Sequence, residues 1–194
     1  MLLKSKGSMT SLITTKLSFF FLVIFSSISY CQNPITYEEV VYLDSTISDK
    51  VLFERGEYWI VNSFENPDKV IQLIDRDAKK IICKSNFKYN SPFFMGSDNT
   101  KGVISHTIEL YFKDGRYKYV LGNFAHESFE GPKSSFGLIT DSKEGPKKWL
   151  YSTQKLRNKY WNDFQSKIES YSSAFILLLK EGMTTKLELE SDDW

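Results

Sequence analysis

The sequence predicts an α+β domain: an antiparallel sheet, built from one strand plus two hairpins, with two helices packed on one face. Two observations carry this prediction. Runs rich in β-branched and aromatic residues alternate in polarity and pair off around short polar turns, whereas two other stretches repeat their apolar residues at spacings of three and four. Their order along the chain is strand, helix, hairpin, hairpin and long terminal helix, which leaves the helices on one side of a mostly local, antiparallel sheet.

Residues 1–31 read as a secretory signal peptide. Lys4, Lys6 and Lys16 accompany the apolar run Leu17–Ile28, no acidic residue occurs, and Ser29-Tyr30-Cys31 sets small residues at −3 and −1 of a cut before Gln32. The run is well short of the roughly 20 residues that a spanning helix needs, so the chain is not expected to be integral to a membrane after cleavage. A lipoprotein signal acylating Cys31 is the rival reading, and the bulky Tyr30 before that cysteine speaks against it. A start at Met9 also leaves a complete signal. Cleavage removes three of the 25 basic residues and none of the 24 acidic ones, so the mature chain carries 22 against 24, a formal charge of −2. Attraction to bulk nucleic acid is not expected of such a chain in an exported compartment. The same cut removes Cys31 and leaves Cys83 without a disulfide partner, so stability rests on the core of residues 32–182.

Ile35–Leu43 alternates and reads as the first strand. Asp44, Ser45 and Ser48 offer caps for a helix whose Leu52, Phe53, Gly56, Trp59, Ile60, Ser63 and Phe64 share one side; Gly56 on that side implies close approach to the sheet, and Asn66-Pro67 ends the run. Val70–Ile74 and Lys80–Tyr89 form a hairpin around Asp75–Lys79. In its second strand Ile81, Cys83, Ser85, Phe87 and Tyr89 share the apolar face, and Lys80, Ile82, Lys84, Asn86 and Lys88 the wetter one. Residues 91–102 have no period and read as a loop carrying Phe93, Phe94 and Met95.

The second hairpin, Val103–His126, turns at Asp114-Gly115, a pair favoured in type I′ turns. Setting Lys113 opposite Arg116 puts Phe112 with Tyr117, Leu110 with Tyr119, Ile108 with Leu121 and His106 with Asn123 on the core face. The other face then holds Tyr111 with Lys118, Glu109 with Val120, and Ser105 with Phe124. Residues 127–152 are irregular, and their two "EGPK" tetrads are too short for a repeat. Leu156, Tyr160, Phe164, Ile168, Tyr171, Phe175 and Leu178 mark an amphipathic helix closed by Gly182, ahead of an acidic tail, 183–194.

The stretches ITYEEVVYLD, EYWIVNSF, DKVIQLIDRDAKKIICKSNF and IELYFKDGRYKYVLGNFAHE resemble a secreted bacterial domain of unknown function with a TATA-binding-protein-like fold. The likeness spans about residues 35–127. It implies a single TBP-like α+β domain exported by Gram-negative bacteria, periplasmic or secreted, and it brings no catalytic residue with it.

The residues themselves carry no catalytic signature. "HESFE" at His126–Glu130 misses the zinc motif H-E-x-x-H, because Glu130 stands where the second histidine belongs. His126 reads as an exposed or capping histidine at a strand end, His106 with Asn123 as a satisfied polar pair, and Cys83 as a small buried thiol rather than a nucleophile. Neither a phosphate loop, a nucleotide fingerprint nor a calcium loop occurs, and no metal or cofactor is expected. What stands out is the wetter face. Tyr111, Lys118, Val120 and Phe124 should continue onto Ile82 and Lys84 if the hairpins are neighbours, with the Phe93–Met95 loop as a cover. A contiguous apolar patch rimmed by charge marks an interaction surface. The function expected is therefore that of an exported, non-catalytic envelope module binding a protein partner or an amphiphilic ligand through this face, the alternatives being an enzyme with a loop-built site or a purely structural, accessory protein.

Overall fold

The computed structural model describes residues 33–93, 97–147 and 153–185. The expected signal peptide, Phe94, Met95 and most of the acidic tail lie outside the described residues. Strands β1 (Tyr37–Tyr42), β2 (Ile71–Asp75), β3 (Lys80–Tyr89), β4 (Gly102–Lys113), β5 (Arg116–Ser128) and β6 (Gly137–Leu138) form a sheet in the order β1-β5-β4-β3-β2, with β6 paired to the far end of β5. Every pairing is antiparallel.

Helix α1 (Asp49–Ser63) starts where expected, with Ser48 accepting the Val51 N–H at its N-terminus. A single turn, α2 (Pro67–Val70), leads into β2, and another, α3 (Ser97–Thr100), interrupts the stretch read as loop. Helix α4 (Gln154–Thr184) closes the described chain. Gly56 permits the close approach that its position implied: a Cβ there would meet Phe112 Cζ at 2.4 Å. Buried Leu52, Phe53, Trp59 and Ile60 of α1, and Tyr160, Phe164, Ile168, Phe175 and Leu179 of α4, join Ile81, Ile108, Leu110, Phe112, Tyr117 and Leu121 of the sheet in one core. Both helices thus cover the same face. Trp59 stands edge-on to Phe175 with ring centroids 5.3 Å apart.

Four details of the helices depart from expectation. Gly182 does not end α4. It lies inside the helix, where a Cβ would sit 2.1 Å from Trp59 Cδ1, so its role is to let the helices touch. Met183, assigned to the tail, is fully buried, and its carbonyl accepts a hydrogen bond from the buried guanidinium of Arg55 at 3.2 Å. Leu178 points outward and Leu179 takes its place, because the 3.6-residue period advances four positions, not three, after Phe175. Ser63, at the last position of α1, is exposed.

The β4–β5 hairpin begins in the expected register, with Lys113 opposite Arg116, Phe112 opposite Tyr117 and Ile108 opposite Leu121. Its turn is not type I′, which needs positive φ at both central residues; Gly115 has φ +66° and Asp114 is not in that region. The turn is instead tied to the start of α1: Asp114 accepts the Asp49 N–H at 2.8 Å, and Gly115 N–H donates to the Ile47 carbonyl at 2.9 Å. Beyond Thr107↔Gly122 the register shifts, and the next pair is Ser105↔Ala125. Asn123 and Phe124 therefore oppose the single residue His106, with Asn123 bulged at φ +56°.

This bulge overturns three expectations together, since one inserted residue exchanges the faces of all that follow. Phe124, placed on the open face by simple alternation, is fully buried and stacks on His106 at 5.5 Å. Asn123 is exposed and donates to Thr107 Oγ1, so it is not the partner of His106, whose Nε2 instead meets Tyr171 Oη at 3.2 Å. His126 is not a strand-end cap but a core residue. Its Nδ1 accepts the Phe136 N–H at 3.2 Å, which leaves Nε2 to donate to the Thr100 carbonyl at 3.0 Å.

Candidate ligand-binding face

The face of the sheet opposite the helices is built from alternate residues of β1, β5, β4, β3 and β2, and the register aligns them in cross-strand rows. One row runs Val40, Lys118, Tyr111, Lys80; the next runs Glu38, Val120, Glu109, Ile82, Leu73. Tyr42, Arg116 and Lys113 cap the turn end. None of these side chains is buried, and among the described residues no helix lies over them.

Five of the six residues singled out from sequence are brought to this face. Tyr111 and Lys118 are direct cross-strand neighbours. Val120 and Ile82 flank Glu109 from either side and do not touch across it, so the two form no continuous apolar strip. Lys84 lies one row further along β3 and is exposed. Phe124 is the sixth, and the bulge removes it to the core. The expected cover is also corrected in part, because Phe93 packs edge-on against Tyr160 of α4 at 5.3 Å, on the other side of the sheet.

The polar groups of this face hold one another. Tyr111 Oη donates to Glu109, Lys80 Nζ lies 3.2 Å from the same carboxylate and 4.7 Å from the centroid of the Tyr111 ring, and Lys118 Nζ lies 3.0 Å from Glu38. The Tyr111 hydroxyl, with Lys80 beside it, keeps the Glu109 carboxyl below its ordinary pKa, and the Tyr111 and Glu109 contacts raise that of Lys80. These pairs fix the side chains in place without covering their apolar surfaces. At the turn end Val40, Tyr42 and Tyr111, with Lys113, Arg116, Tyr117 and Lys118, line an open groove of about 350 Å³. Val40 is 41% and Tyr42 71% exposed, and the Arg116 guanidinium lies over the Tyr42 ring.

Val40 and Tyr42 are the residues that sequence reasoning missed. Each face of YEEVVY carries one glutamate beside a tyrosine and a valine, and Glu39 faces the helix side, where Lys180 Nζ and Tyr119 Oη hold its carboxylate at 2.7 and 2.8 Å. Alternation alone does not orient such a strand. Burial pushes the Cys83 thiol up to about 12 and both His106 and His126 down to about 4. Cys83 sits opposite Ile108, not His106, so no thiol–imidazole pair forms.

Residues 37–127 match the family model of the domain of unknown function DUF4468, described as having a TBP-like fold. Two crystal structures are similar in fold. A TBP-like protein from Parabacteroides distasonis ATCC 8503 aligns at TM-score 0.52 and 12% identity, over 78% of this chain and 94% of that one. A DUF4468 family protein from Bacteroides ovatus ATCC 8483 aligns at TM-score 0.56 and 10% identity, over 82% and 92%. No curated protein matches the chain. Residues 37–127 thus form a DUF4468 domain, a domain of unknown function with a TBP-like fold, and both crystal structures share that fold.

Proposed function

We propose that the protein is an exported, non-catalytic envelope module that binds a protein partner or an amphiphilic molecule through its open sheet face. The observation that carries this reading is the groove of Val40, Tyr42 and Tyr111, apolar surface held open by cross-strand charge pairs and rimmed by Lys113, Arg116 and Lys118. Export rests on residues 1–31, and N-terminal sequencing of the protein from its own cells should begin at Gln32; a diacylglyceryl group on Cys31 contradicts that. Binding is tested by Val40→Glu combined with Tyr111→Ser. Val40 faces Lys118, so the new carboxylate gains a partner, whereas a glutamate at Val120 would stand between Glu38 and Glu109 and disturb folding by repulsion. The double variant should fold like the parent and lose the protein or lipid that native mass spectrometry finds on the parent. Retention of that species by the folded variant puts the binding surface elsewhere.

A further inference from the structure

Strand β3 is twice as long as its neighbour. Its ladder to β2 ends at Ile71↔Cys83, whereas its ladder to β4 continues from Lys84↔Thr107 to Tyr89↔Gly102. Among the described residues, 84–89 thus present one strand edge with no strand beside it and no backbone hydrogen bond reaching it. Unpaired edges are templates for an added strand. Beside this one a cleft of about 340 Å³ runs between strand and helix, lined by Phe87, Lys88, Tyr89, Asn90, Lys167 and Tyr171. Phe87 and Tyr171 stack at 4.1 Å and form a rigid apolar wall.

Charge narrows the choice of strand. Lys84 and Lys88 lie on one side of the edge and Lys167 belongs to the cleft on the other; all three are exposed, and none forms an ion pair with a described residue. Lysines on an edge repel a second copy of the same edge, and the same charges attract an acidic strand. The edge at β1 has the opposite character, with exposed Glu38 and Glu39. We propose that residues 84–89 of β3 accept an extended acidic peptide segment of a partner protein as an added strand, its backbone pairing with β3 and its carboxylates meeting Lys84, Lys88 and Lys167. This site is separate from the open-face groove, and the two stand or fall independently.

The test uses protein purified as its own cells process it, a capped peptide of alternating glutamate and valine as probe, fluorescence anisotropy for affinity and hydrogen exchange for location. The acidic peptide should bind and slow amide exchange at 84–89. Its lysine-for-glutamate counterpart should bind at least about tenfold more weakly, and Lys84→Glu with Lys88→Glu should weaken the acidic peptide by a similar factor. Lys84→Gln with Lys88→Gln, a milder change, gives the same direction should the reversal impair folding. Methylating alternate peptide nitrogens should abolish binding, since it removes the pairing donors and keeps the charge. Equal binding of the methylated peptide means mere charge adsorption and overturns the proposal. So does protection at 37–42 in place of 84–89, or a dimer joined through β3 edges in the absence of peptide.

Discussion

The two faces of this sheet are made by the same strands and treat polar groups in opposite ways. On the helix-covered face His106 and His126 are held uncharged among Phe87, Phe124, Phe136, Phe164, Tyr89 and Tyr171. On the open face Glu38 pairs with Lys118, and Glu109 with Lys80, across neighbouring strands. The covered face holds the fold together by burial; the open face contributes little to stability beyond its cross-strand pairs, at about 0.2 to 1 kcal/mol each.

The bulge at Asn123-Phe124 assigns residues to one face or the other, so the largest effect should come from Phe124→Ala. Truncating a buried aromatic costs about 3 to 5 kcal/mol, and the melting temperature should fall by roughly 10 °C or more. An unchanged melt would return Phe124 to the open face.

Acid should come next. Both histidines have folded pKa values near 4, below the ordinary 6.5, so between these values the unfolded chain binds protons that the folded chain refuses. Their contribution is fully present above pH 6.5 and is lost as the pH falls toward 4. Denaturant titrations at pH 7 and pH 5 should differ by about 2 kcal/mol per histidine. The groups facing His106 are the aromatics with Tyr171, and those facing His126 are Tyr89, whose hydroxyl is tied to Asp163 at 2.6 Å, and Phe136. Flat stability across that window would mean that the rings are hydrated or already charged.

Gly182→Ala should cost about 1 to 3 kcal/mol by pushing Trp59 off α4, despite alanine's better helix propensity. A gain in stability would show that the helices have room to part. The smallest change belongs to the open face. Val120→Ala should stay within about 0.5 kcal/mol of the parent, and a loss comparable to that of Phe124→Ala would mean that this face is covered in the native protein.

Much of the fold was legible in the sequence because local signals agreed with it. Ser48 caps α1, Gly56 marks the contact with Phe112, and Asp114-Gly115 sets the hairpin register from Lys113↔Arg116 to Thr107↔Gly122. Illegible was whatever depended on a single inserted residue or on a distant neighbour. The bulge needs Asn123 in a left-handed conformation, which asparagine tolerates better than most residues, but nothing in GNFAH distinguishes a bulge from continued alternation. With it went the placement of Phe124 and His126. Val40 and Tyr42 joined the candidate site only because β1 lies next to β5, a strand order that sequence does not state.

Whether recognition runs through the open face of the sheet is decided by photo-crosslinking in the native cells. A benzophenone amino acid is placed at Tyr111, at Val40, or at Leu177 on the outer side of α4, where the side chain is 59% exposed. Irradiation should give one defined adduct, protein or lipid by mass, from Tyr111 and from Val40, and none from Leu177. Adducts from Leu177 with none from Tyr111 and Val40 would move recognition to the helix layer, where Tyr58, Val61 and Leu178 are also exposed.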